Sequence, residues 1–148
     1  MHAQLTPAAT PIERPPYVWL AVVLEFLTAV MAIPVGLIFL NDPSGRSMEL
    51  PPEWIANTAF GNYVIPGLYL LLVNGIGMLL LAGLSVQRHW TAPWLTGTLG
   101  VGLIIWILVQ LAVMPETMFL QWIFLSVGIV LGFVALFWLR RTGQLRLW

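Results

Sequence analysis

Four long apolar stretches, each near the roughly 20 residues that cross about 30 Å of hydrocarbon as a helix, decide what this chain can become. They run from Tyr17 to Leu40, Tyr63 to Val86, Ala92 to Met114 and Phe119 to Leu139. A membrane barrel would need shorter segments that alternate polar and apolar residues. A soluble domain carries about a quarter charged residues, whereas this chain of 148 residues has 8% charged and 59% apolar. The expected fold is therefore all-α: a four-helix membrane bundle covering 17–139, with helices at about 17–40, 63–86, 92–114 and 119–139. The first stretch is too long for the apolar core of a signal peptide. It contains Glu25, and Asn41-Asp42-Pro43-Ser44-Gly45 follows it where a small-residue cleavage motif would stand. It reads as a retained helix.

The charges are few and one-sided. All six cations are arginines, balanced by six acids. Arg14, Arg88, Arg140, Arg141 and Arg146 fall on one side of the spans and only Arg46 on the other, which predicts both termini in the cytoplasm. Tyr17, Trp19, Trp90, Trp94 and Trp138 would then lie near the inner interface, and Trp54, Tyr63 and Trp122 near the outer one. Residues 1–16, with four prolines, read as a disordered cytoplasmic tail. Residues 140–148 read as a basic tail anchored at the interface, each Arg worth roughly 1 kcal/mol near an anionic leaflet. Without a basic run, nucleic acid is excluded as a partner. The partners expected are the lipid bilayer and either a protein partner or a second copy of the chain.

Several chemistries fall away. There is no cysteine, hence no disulfide, thiolate metal site or thiol redox chemistry. The two histidines, His2 and His89, cannot form a haem or metal site across facing helices. No GxSxG, HExxH or phosphate-cradling loop occurs. No metal or cofactor is expected, and the balance leans away from an enzyme.

The connection at 41–62 is the only long one, about 22 residues. Asp42-Pro43-Ser44-Gly45 has the residues of a type I turn. Pro51-Pro52-Glu53 resembles a helix start, which predicts a short interfacial helix up to Phe60, closed by Gly61-Asn62. The alternative is an irregular loop.

Inside the membrane, small and polar residues mark the faces that pack. Ala21, Glu25, Thr28, Ala29, Ala32 and Gly36 share one stripe of helix one; Gly67, Leu71, Asn74 and Ala82 share one of helix two. Helix three offers Thr96, Gly100, Leu103, Ile107 and Gln110, and helix four Gln121, Gly128, Gly132 and Ala135. A charged residue at a helix centre costs about 2.5–3.5 kcal/mol on insertion scales. Glu25 is accordingly either a proton, ion or cationic-substrate site, or a hydrogen-bonding residue between helices. Asn74 is an interhelical hydrogen-bonding residue or part of the same site. Gln110 and Gln121 flank the short Pro115–Met118 connection at similar depth. They pair with each other, or they floor an external polar pocket rimmed by Glu116, Glu53 and Arg46, where Arg46 pairs with an acid. Gly128 and Gly132 form a GxxxG spacing for close packing within the bundle or across a dimer. Pro34 is expected to kink helix one.

Two resemblances follow. Asp42-Pro43-Ser44-Gly45, Leu50-Pro51, Ile65-Pro66-Gly67-Leu68 and Val73-Asn74-Gly75, with Trp106-Ile107 and Val109-Gln110 further on, resemble a group of small bacterial four-helix inner-membrane proteins of no assigned activity. The helix-two pattern is also similar, more distantly, to DoxX-like proteins. Glu25, in Leu24-Glu25-Phe26, resembles the embedded glutamate with which small multidrug resistance exporters exchange protons for cationic drugs. The long first loop and the five-to-one arginine bias depart from those exporters. Three functions follow as expectations: a non-enzymatic accessory subunit or binder of lipophilic small molecules in its bundle, a proton-coupled carrier using Glu25, and a lipid- or quinone-linked enzyme.

Overall fold

A computed structural model describes residues 15–145, all helix and connection with no strand among them. The tail at 1–14 and the final residues Arg146, Leu147 and Trp148 lie outside the described residues, and with them most of the expected disordered tail and the end of the basic anchor. Helix α1 spans Pro16–Asn41, a single-turn α2 spans Glu53–Ala56, and α3, α4 and α5 span Val64–Gln87, Ala92–Val113 and Phe119–Arg141. The four long helices are each long and apolar enough to cross a membrane. The chain is a multi-pass membrane bundle.

Proline sets most of the boundaries. Pro16 occupies the first turn of α1, where its missing N–H is no loss. Asp42 precedes Pro43 and is driven out of the helical region to φ −130°, ψ 86°, which stops α1. Met114, before Pro115, is extended at φ −83°, ψ 131° and stops α4 in the same way. Helix α1 runs on through Pro34 without a break in its helical span. Helix α3 is composite: Leu70–Gly77 is a π-helix between two α-helical segments, a form that recurs at functional sites.

The helices pack as two antiparallel pairs, α1 along α3 and α4 along α5, with sparser contact between the pairs. Glycine permits both close approaches. A Cβ at Gly36 would lie 2.8 Å from the Leu71 nitrogen. One at Gly128 would lie 2.9 Å from the Gly100 oxygen, whereas one at Gly132 would meet nothing within 4 Å. Of the GxxxG pair, Gly128 thus carries the packing of α5 on α4. On the outward faces Val23, Phe26, Leu27, Ile105, Leu108, Phe133 and Phe137 are exposed, as a hydrocarbon solvent requires. Between helices in lipid there is no hydrophobic drive, so this contact by small residues supplies the cohesion.

The connection between α1 and α3 folds back as a cap. Asp42 accepts four hydrogen bonds, from the backbone and hydroxyl of Ser44 at 3.1 and 2.6 Å and of Ser47 at 2.8 and 2.7 Å. These donors, the two hydroxyls foremost, hold its carboxyl well below the usual carboxylate range. Gly45 sits at φ +81°, and its missing side chain leaves room for the Tyr63 ring. Tyr63 stacks on Phe39 at 4.7 Å and joins Leu50 and Ile55 in a small core. In a water-facing cap, each fully buried residue of this kind contributes about 1.5–3 kcal/mol. Tyr63, like Trp138 at the far end, is therefore buried rather than floating at an interface. The expected helix to Phe60 shrinks to the one turn of α2, because the Thr58 hydroxyl takes the Ile55 carbonyl and turns the chain away.

Candidate functional site

Two groups of buried polar side chains occupy the bundle. The first lies toward the end that carries the chain termini. Glu25 on α1 is fully buried, and the Thr96 hydroxyl of α4 donates to its Oε1 at 2.7 Å. Ser85 of α3 faces the same carboxyl, yet Glu25 Oε2 and Ser85 Oγ complete no hydrogen bond with the protein. Around them Ala21, Ala29 and Leu81 are packed tight. Three helices therefore meet at Glu25. Asn74 does not reach it.

The second group lines a cavity of about 200 Å³ between α1, α3, α4 and α5, toward the end that carries the 41–62 connection. Its walls are apolar, formed by Ala32, Val35, Leu70, Leu103, Trp106 and Ile107. Four polar side chains interrupt them: Thr28, Asn74, Gln110 and Gln121. The π-helix of α3 brings Asn74 to this space with 1% of its surface exposed. Trp106 is held in place by Tyr69, whose ring stacks on it at 4.5 Å and whose hydroxyl donates to the Gly102 carbonyl at 3.0 Å.

The four polar groups differ in how far the protein satisfies them. Gln121 is engaged at both ends: Oε1 accepts the Met118 N–H at 2.9 Å, capping α5, and Nε2 donates to Gln110 Oε1 at 3.5 Å and to Met114 sulfur at 3.5 Å. The amide pair is present, but its mutual bond is long and the cap is the stronger use of Gln121. Thr28 and Asn74, 2% and 1% exposed, make no hydrogen bond to any described residue. Trp106 of the cavity wall adds a third, its buried Nε1–H having no partner either. An unsatisfied buried polar group costs about 1–3 kcal/mol, so three beside one cavity call for a partner within it.

The expected rim does not assemble. Arg46, Glu53 and Glu116 are exposed, stand outside the cavity lining and form no ion pair among the described residues. The serines on either side of Arg46, not Arg46 itself, satisfy Asp42. Among the described residues no three His, Cys, Asp or Glu side chains come together to hold a metal ion. The sequence marks Thr28 only as a packing residue and Trp106 only through a resemblance, and gives no sign of Ser85. The spacing Leu103, Trp106, Ile107, Gln110 on one helical face was the available signal for the cavity wall.

The arrangement defines a class: a four-helix membrane bundle with an internal, mostly apolar cavity and no ionised group in its lining. No known protein family, curated protein or solved structure matches the chain.

Proposed function

We propose that this chain is a non-enzymatic integral membrane protein that binds a lipophilic small molecule inside its bundle, alone or as an accessory subunit of a partner chain. The observation that carries this reading is the cavity of about 200 Å³ with Thr28 and Asn74 buried at its edge and unpartnered. Dry apolar cavities of about 150 Å³ already take up benzene-sized ligands. The arginine bias supports an orientation with both termini in the cytoplasm, and the resemblance to small bacterial four-helix proteins supports the bacterial inner membrane as its place. Native mass spectra of protein extracted from its own membranes in mild detergent test the reading. A stoichiometric lipophile is expected on the wild type and absent from Ala32→Phe, which fills the cavity. A ligand-free wild type would sink it.

A second reading, the proton-coupled carrier, draws on the unpartnered Oε2 of Glu25. It requires Glu25→Gln to abolish proton-linked transport in vesicles while the protein still folds. The cavity does not extend to Glu25, and a carrier needs a path for its cargo, so ligand binding in the cavity is the stronger reading.

A further inference from the structure

We infer that the cavity takes a neutral lipophile with a hydroxyl head, seated head-inward at Thr28 and Asn74, which enters sideways from the hydrocarbon between α1 and α5. The inference rests on the binding reading above and names the ligand class and its route.

The head group follows from the lining. No Asp, Glu, Arg or His borders the cavity, so a carboxylate, phosphate or ammonium head would be desolvated with nothing to compensate its charge. The Asn74 amide offers both a donor and an acceptor, the Thr28 hydroxyl likewise, and neither is used by the protein. A hydroxyl can donate to one and accept from the other. Gln110 and Gln121, at the opposite edge, are already engaged with each other and with the cap of α5. The groups that can both donate and accept are thus at the deep end, near the middle of both α1 and α3; the unpartnered Trp106 Nε1–H in the wall can only donate.

The route follows from exposure. Among the lining residues, Met31 of α1 is 44% exposed and Leu120 of α5 is 48% exposed. They stand on either side of the seam between the two helix pairs, where the packing is sparser. Met31 lies near the midpoint of α1, so this edge of the opening faces hydrocarbon, while Leu120 in the first turn of α5 marks its other edge, at the end of the span. Met48 and Met118 continue the same rim. Methionine's unbranched, polarizable side chain adapts to varied apolar shapes. A volume of about 200 Å³ is below the roughly 300–1,000 Å³ of drug-sized sites. It accommodates a head and a ring-sized length of chain, and the remainder of the ligand lies in the opening, where lipid tails already are.

The test uses the full chain in nanodiscs with three probes of equal length: a fatty alcohol, the matching alkane and the matching fatty acid, each with a diazirine midway along the chain. After irradiation, mass spectrometry maps the labelled residues. The alcohol is expected to label Met31, Leu120 and Phe124, with unlabelled alcohol competing roughly tenfold better than unlabelled alkane, the value of one or two hydrogen bonds. The fatty acid at neutral pH should label no better than the alkane. Thr28→Val and Asn74→Leu should each erase the preference for alcohol while leaving alkane labelling in place, so a failure of either variant to fold leaves the other to report. Equal competition by alcohol and alkane, with both abolished by Ala32→Phe, would overturn the hydroxyl class and leave the cavity reading standing. Saturable labelling on other helix seams would overturn the route. Labelling spread over all four helices without saturation would overturn the binding reading too.

Discussion

The two halves of the bundle bury similar polar chemistry and do opposite things with it. Around Glu25 the side chains close: Thr96 reaches the carboxyl at 2.7 Å, Ser85 faces it, and alanines fill what is left. Around Asn74 they stand apart, leaving about 200 Å³ beside Thr28, Asn74 and the Trp106 Nε1–H, none with a protein partner, whereas the unpartnered Glu25 Oε2 and Ser85 Oγ line no cavity. A buried polar residue is therefore a weak sign of a site by itself. Room beside it is the stronger sign, because packed neighbours can satisfy a polar group but only a ligand or solvent can satisfy one that faces a space.

The sharpest way to break this contrast is to add bulk on each side. Ala29, fully buried in the closed half, and Ala32, on the cavity wall, lie one turn apart on α1. Ala29→Phe should lower stability by about 3 kcal/mol through overpacking, whereas Ala32→Phe should be neutral or raise it by about 0.5–2 kcal/mol as cavity filling does. Thermal unfolding in one detergent measures both; equal losses would mean that the cavity half is as tightly packed as the other.

Removing the polar group should separate the halves again. Glu25→Leu leaves the Thr96 hydroxyl buried without its acceptor and should cost about 1–3 kcal/mol. Asn74→Leu removes an amide that the protein does not use and should leave the ligand-free protein unchanged or slightly more stable. A comparable loss in Asn74→Leu would show that its amide is satisfied after all.

Within the cavity lining, Gln121→Leu should cost about 1 kcal/mol because it uncaps α5. Gln110→Leu, losing only the 3.5 Å bond, should cost no more than about 0.6 kcal/mol. Reversal of that order in chemical unfolding would make the amide pair, not the cap, the principal interaction.

The smallest effect concerns Asp42 in the cap. Its carboxyl titrates lower in the folded chain than in the unfolded one. The stabilisation is therefore fully present above the unfolded value of about 3.9 and fades as the pH falls below it. The difference between wild type and Asp42→Asn, read from exchange of the Ser44 and Ser47 amides, should shrink from pH 5 toward pH 2. A difference independent of pH would assign the loop's order to the glycine turn alone.

The four spans were legible because a lipid-crossing helix announces itself by length and composition, and α1 and α4 end where residues precede Pro43 and Pro115. The inward stripe of α1 was legible too: Ala21, Glu25, Thr28, Ala29, Ala32 and Gly36 are all buried. What stayed hidden depends on distances between helices. Nothing in the residues around Glu25 says that Thr96, 71 positions away, will meet it. Nothing around Asn74 says that a π-helix will carry it, since Leu70–Gly77 reads as ordinary apolar helix. The acid and arginine rim, the alternative to the Gln110–Gln121 pair, follows only from which side of the spans those residues fall, and that does not tell which way a side chain on a loop will turn.

That π-helix has a mechanical consequence. Asn74 and Ser85 ride on the same helix, Asn74 inside the π segment and Ser85 on the α-helical segment beyond it. A π-to-α conversion in the part of Leu70–Gly77 that follows Asn74 would change the phase of Asn74 against the α-helical segment beyond it. Asn74 could then keep its place only if Ser85 swung away from Glu25, or the reverse. The open half and the closed half are geared through a single shaft, and the register of eight residues sets the angle between them.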